Sequence, residues 1–478
     1  MAHALTGVVR IGKPESFVAD PKEPGIGERD SFMRAKTPFC DRVSRRDLLR
    51  VGAAGALGLN FTTQQLLAAQ AGSKVIDGSK DDVSFIFVFL KGGLSTIDTF
   101  DMKPNSPIEV RGPFKEMATN IPGTRICDQL PNVAKIMDKF STIKSFTHRN
   151  AGHGPADHYM FTGYHPAPGF NIAQKPNNQH PSMGSVIASQ LGPRGGIPPY
   201  MALPRMHNSA SSAYLGAEAA PFAIESDPNS PDFAVPDLSP PLSVDAKRLD
   251  DRRGLLEQVD RFQKSAEQAA NKDARELGVF AERATDLMTS TQAKEAFDIS
   301  QESEKIRDAY GRTTLGQSCL MARRLVEAGV RCVSVEHANW DTHYQNFRVL
   351  EQDLLPRLNV SMAALFTDLE DRGMLEKTLV VVTGEFGRTP VINKDAGRDH
   401  WSRCFSVMLG GGGIQGGRSL GKSDKWASDP AEDPYGPEDL CATAYHLLGI
   451  SPHSEMLTPD GRPVMLTNNG RVINDLLI

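Results

Sequence analysis

The sequence predicts an α/β fold built on one mostly parallel sheet with helices on both faces. Three observations predict it. Continuous apolar runs recur, as in VSFIFVFL, TLVVVT and FSVML, and they suit strands covered on both sides. Each run breaks into glycines or polar residues, which places loops at the strand ends. Amphipathic helical stretches alternate with these runs, the pattern that parallel sheets require for their crossovers.

Length and composition leave room for this fold. The 478 residues can bury a large core in one α/β domain with insertions or in two or three domains. Charged residues make up 23% of the chain and the net charge is -5, so neither disorder nor a nucleic-acid surface is expected. The six cysteines are widely spaced with no CxxC pair, which excludes a zinc ribbon and a dense disulfide framework.

The elements follow in order. SRRDLLRVGAAGALGLNF, from Ser44 to Phe61, sets twin arginines before a modest apolar segment, and Ala69 and Ala71 have the small-x-small spacing of a cleavage site. Residues 1–71 therefore read as a twin-arginine export signal, and a periplasmic or extracellular location is expected. The apolar run is too short and glycine-rich for a stable membrane span after cleavage. A single domain is expected over 82–478, opening with a strand at Val83 to Leu90. A helix is expected at LPNVAKIMDKF, followed by the histidine-rich HRNAGHGPADHYMFTGYHP. The segment Pro198 to Pro241, rich in proline and serine, reads as loop or cap. About 244–325 mixes charged and apolar residues at helical spacing and reads as a helical insertion of two or three helices. The helix CLMARRLVEAGV then feeds a strand at Val330 to Glu336, the helix LLPRLNVSMAALFTDLEDRG a strand at Thr378 to Thr383, and the glycine-bearing loop through GRDHW a strand at Phe405 to Leu409.

In open α/β sheets ligands bind beyond the carboxyl ends of the strands. STIDTFD, NWDTH, TGEFGR and GRDHW bring acids and histidines to such places. Together they predict a polyanion site or a divalent metal site, the latter for zinc, manganese, iron or calcium with Asp98, Asp341, His343, Glu385 and His400 as candidate ligands. Asp341 and His343 alternate around Thr342, so an extended chain points both the same way. Asp399 is expected to orient its neighbour His400. Arg388 either grips an anionic substrate oxygen or pairs with a carboxylate.

The combination GGLSTIDTFDMKP, TGYHP, NWDTH, TGEFGRTP, GRDHW and MLGGGG resembles the domain-of-unknown-function 1501 family, exported bacterial proteins described as sulfatase-like. The resemblance spans roughly Asp82 to the C-terminus, with Leu94 where proline is usual and Asn339 where glycine is common. More widely the chain is similar to the alkaline phosphatase superfamily, which implies an alkaline-phosphatase-like three-layer α/β sandwich. In that superfamily a strand ends in T-x-D-H-G; TGEFG puts Glu385 at the aspartate and Phe386 at the histidine. DLCATAYHLLGISP is similar to the helix and turn that close many sulfatase domains.

Sulfatases carry a modified cysteine or serine nucleophile at the start of C-x-P-S-R-A-A-L-L-T-G. Aligning the final TG with Thr162 and Gly163 puts His153 at that position, with Pro155 kept and Asp157 where the arginine stands. The usual nucleophile is absent. His153 is left as a metal ligand, a phosphoryl acceptor or a general acid. The resemblance implies a metal-dependent hydrolase of sulfate or phosphate esters, acting on a small-molecule or glycan ester. The alternative is a non-catalytic binding protein on the same fold.

Overall fold

A computed structural model describes residues 82–235 and 290–478. The segment read as an export signal, 1–71, and the part of the expected helical insertion up to residue 289 lie outside the described residues. Eight strands form the central sheet: β1 (Ser84–Leu90), β2 (Phe140–Phe146), β3 (Tyr200–Leu203), β4 (Phe222–Ala223), β5 (Cys332–His337), β6 (Thr378–Thr383), β7 (Phe405–Gly410) and β8 (Ser419–Leu420). Their spatial order is β8-β2-β7-β6-β1-β5-β3-β4. Only β7 runs against the rest, pairing antiparallel with both β6 and β2.

Strand β1 lies centrally between β5 and β6, parallel to both, and all seven of its residues are buried. Period-two alternation divides its side chains between two cores. Phe85, Phe87 and Phe89 face one layer, with Phe161, Val186 and Tyr445. Ile86, Val88 and Leu90 face the other, with Leu320, Leu358 and Leu365. Each such side chain contributes about 2 kcal/mol of burial. The first layer holds helices α1 (His153–Thr162), α2 (Met183–Leu191) and, from the end of the chain, Pro437–Leu447. The second holds α3 (Thr314–Glu327) and α4 (Leu355–Asp371). The result is a three-layer α/β sandwich.

Two readings of the sequence are corrected. The stretch from Pro198 to Pro241 is not all loop or cap, because β3 and β4 extend the sheet there. Strand β3 has four buried residues between prolines and therefore shows no alternation to read. LPNVAKIMDKF forms 3-10 turns at Val133–Lys139, interrupted by the non-helical Ile136 at φ -123°. In the described part of the helical stretch, Thr291–Phe297 and Glu304–Tyr310 precede α3, whose buried face is part of the sheet's own core. No described helix is long and apolar enough to cross a membrane.

Two buried histidines away from the strand-end site are held neutral. His158 Nδ1 lies 3.0 Å from the Tyr164 carbonyl while Nε2 accepts the Gln179 N–H at 3.0 Å, a set that only the neutral ring satisfies. His337 Nδ1 accepts the Trp340 indole N–H at 3.0 Å. Burial pushes both imidazoles down to about 4. In the unfolded chain they titrate near pH 6.5, so the stability they carry is full above that pH and is lost as pH falls toward 4. The urea midpoint is expected to drop across this window, with His158→Gln lowering the slope by up to one proton. An unchanged slope in that variant contradicts neutral burial.

Candidate metal centre

Glu385 follows β6 by two residues and is fully buried. The Gly92 N–H, just beyond β1, donates to both of its oxygens at 2.9 and 3.0 Å. Gly384 makes this approach possible: a Cβ there would stand 2.7 Å from the Leu90 carbonyl and 2.9 Å from Gly93 Cα. His153, the first residue of α1, places Nδ1 2.6 Å from Glu385 Oε1. That hydrogen bond raises the His153 pKa against the opposing effect of burial.

The loop after β5 supplies Asp341 and His343. A two-stranded ribbon, Gly387–Arg388 against His400–Trp401, brings His400 opposite Arg388. His343 Nε2 and His400 Nε2 are 2.9 Å apart, and they lie 3.0 and 3.1 Å from Asp341 Oδ1. His153 Nε2 approaches the other Asp341 oxygen at 3.2 Å. His153, Asp341 and His400 each offer a ligand atom within 4.8 Å of the others. The four side chains are 22 to 43% exposed, so their tips reach solvent.

The protons decide what this cluster can hold. His400 Nδ1 is 2.7 Å from the Ala151 carbonyl, which can only accept, so the ring proton sits on Nδ1. His343 Nδ1 is 2.7 Å from Asp399 Oδ1, and the hydrogen bond from His343 lowers the Asp399 pKa despite some desolvation. Both Nε2 atoms then present lone pairs to each other and to a carboxylate oxygen. Three acceptors about 3 Å apart repel unless a cation lies among them. Imidazoles held through the far nitrogen are the usual form of metal ligands. Two nitrogens and a carboxylate fit zinc, manganese or iron better than the oxygen-seeking calcium.

Burial alone would raise the Asp341 pKa, but the Arg388 guanidinium outweighs it and holds the carboxyl down at about 2. Arg388 Nη2 donates to Asp341 Oδ1 at 2.6 Å, and other guanidinium nitrogens reach the carbonyls of Gly93 and Arg398. Desolvation lowers its own pKa.

Asp341, His343 and His400 thus converge with His153, and four expectations are corrected. Asp98 does not join them: it is fully buried and bonded by Arg398 at 2.7 and 2.9 Å, with Ser95 and Asn346 on the same carboxylate. Glu385 holds His153, since Gly92 and His153 occupy its oxygens. Arg388 offers no free fork to a substrate, because its side chain is fully buried against Asp341 and backbone carbonyls. Asp399 orients His343 and not His400, as neighbours on an extended chain diverge. The Ala151 carbonyl and the Gly92 N–H escaped sequence reasoning because backbone partners leave no residue-type signal.

Breaking the Asp98–Arg398 pair leaves an uncompensated buried charge. Asp98→Asn is expected to cost about 3 kcal/mol in denaturant unfolding. Metal per folded chain should stay constant; its loss in folded Asp98→Asn would restore Asp98 as a ligand. Asp399→Asn should weaken metal affinity by roughly 10- to 100-fold through His343. Competition with a chromophoric chelator checks this, and equal affinity rules out the orienting role.

Comparison with solved structures returns distant likenesses. A sulfatase from Pseudoalteromonas sp. is 14% identical, with 82% of this chain and 72% of that one covered and a TM-score of 0.38. The lipoteichoic acid synthase LtaP from Listeria monocytogenes is 10% identical over 88% of this chain and 93% of that one, with a TM-score of 0.34. A phosphonate monoester hydrolase from Silicibacter pomeroyi is 10% identical over 82% and 75%, with a TM-score of 0.35. These values are too low to bear on the chemistry of this site. No curated protein matches the chain. The pattern that does match is a family's, over residues 82–477, and the chain belongs to that family, the proteins of unknown function DUF1501.

Proposed function

We propose that the chain is an exported, metal-dependent hydrolase of sulfate or phosphate esters, glycan-derived esters among them, that works without the usual sulfatase nucleophile. The observation that carries this reading is the convergence of Asp341 Oδ1 with two imidazole Nε2 atoms whose protons are committed elsewhere. The similarity of TGEFGRTP and HGPADHYMFTG to sulfatase segments supports an ester substrate. Asp341, His343 and His400 would hold a divalent cation, which when bound would supply Lewis acidity.

The chain's own groups divide the remaining work. Arg388 keeps Asp341 ionised across the working pH range. His153 stands where sulfatases place their nucleophile, and Glu385 favours its imidazolium form. With Nδ1–H on Glu385, its Nε2–H is the proton available to the departing alcohol, a general-acid role. The side chain is 32% exposed, enough to meet a substrate. Water adds to sulfur or phosphorus and the S–O or P–O bond to the ester oxygen breaks; that oxygen leaves as the alcohol with the His153 proton, the attacking water gives up a proton to solvent, and His153 takes one back from solvent.

Purified protein should contain a transition metal and hydrolyse chromogenic sulfate or phosphate esters. Chelation or His343→Ala should abolish turnover. His153→Gln should keep the metal and lower kcat by about 10²- to 10⁴-fold. Wild-type kcat should fall as pH rises through the elevated His153 pKa. Metal without turnover on any such ester would favour a binding protein, and loss of metal in His153→Gln would make His153 a ligand instead of an acid.

A further inference from the structure

A second group of buried charges lies behind the metal centre. On α1, His153, Asp157 and Phe161 are spaced by four and share one helix face. His153 faces the centre and Phe161 stacks on His207 with ring centroids 4.7 Å apart. Asp157, between them, is 5% exposed; Glu336, near the end of β5, is 8% exposed; and His207 is 3% exposed.

His207 Nε2 lies 3.5 Å from Asp157 Oδ2 and 4.0 Å from Glu336 Oε2, both too long for firm hydrogen bonds. Among the described residues no arginine or lysine is within ion-pair distance of either carboxylate. Two buried atoms here make no hydrogen bond, Asp157 Oδ1 and His207 Nε2. His207 cannot balance the acids. Its Nδ1 accepts the Ser209 N–H at 3.0 Å, so the ring's proton is on Nε2 and the ring is neutral. Phe89 and Phe161 line the ring, which makes the surroundings apolar. Two carboxylates are thus buried with no cationic side chain within ion-pair distance, a state that burial disfavours unless a cation joins them.

We propose that Asp157 and Glu336 hold a small, hard divalent cation, magnesium or calcium, at a second site separate from the histidine-rich centre. The donors are carboxylate oxygens, which such ions prefer, and the proton on His207 Nε2 excludes that ring as a ligand. Asp157 Oδ1, which meets no donor, is left for the ion. The inference rests on these buried charges and stands whether or not the chain hydrolyses esters.

The test uses the full chain carrying His343→Ala, which disables the first centre, after chelator stripping and dialysis. Magnesium or calcium chloride at millimolar concentration should raise Tm by about 4 °C or more. Adding Asp157→Asn or Glu336→Gln should remove that response and raise Tm in the ion-free state, because each deletes an uncompensated buried charge. If Asp157→Asn fails to fold, Glu336→Gln decides alone. The absence of any response in the His343→Ala chain overturns the site and leaves buried water as the partner of Asp157. A response that survives both substitutions overturns it equally, by placing the ion elsewhere. Ester hydrolysis is not read in this experiment, so failure of the proposed activity and failure of this site are told apart.

Discussion

The fully buried ion pair between Asp98 and Arg398 ties the two ends of the site together. Asp98 belongs to the loop after β1 and Arg398 to the loop that ends in Asp399 and His400. The guanidinium meets the carboxylate with two nitrogens and also reaches the carbonyls of Thr389, Pro390 and Val110. Neither side chain touches solvent. Such a pair adds little net stability over apolar packing, but it tolerates no other partner. It therefore fixes where the loop 389–399 sets down His400. Gly397 completes the fit, since a Cβ there would fall 1.7 Å from the His343 carbonyl.

The fold was legible because its strands are buried on both faces and read as continuous apolar runs. Thr378–Thr383 matches its expected bounds, and β1, β5 and β7 differ from theirs by one or two residues. β3 was not legible, being short and set among prolines. At the site, the alternation of Asp341 and His343 was enough to place both side chains on one side, because that relation is local. The roles of Asp98, Glu385 and Arg388 were not legible. Each depends on a partner across the chain: Arg398 is 300 residues from Asp98, Gly92 is 293 from Glu385, and Asp341 is 47 from Arg388. Residue type showed that these positions carry charge, and only the folded sheet assigns the charges to one another. Asp157 had a local signal, its spacing of four from His153, but Glu336 and His207 reach it only through the fold.

The site also shows how one helix start serves two environments. His153 opens α1 at the solvent edge, and one turn later Asp157 is already enclosed. Burial pushes the Glu385 pKa up and the charge on Asp157 adds to it, while His153 pulls it down. Glu385 thus stands between an imidazole at the surface and an acid in the interior.

The three converging imidazoles are held by three acceptors of two kinds: the Glu385 and Asp399 carboxylates and the Ala151 carbonyl. In evolutionary terms these are unequal risks. A single codon change removes either carboxylate and frees the ring it steers. No change of side chain at position 151 deletes a main-chain oxygen, so the aim of His400 survives any substitution there that keeps the backbone path. His400, set down by the longest of the three loops that bring these imidazoles in, is the one whose orientation point mutation reaches least easily.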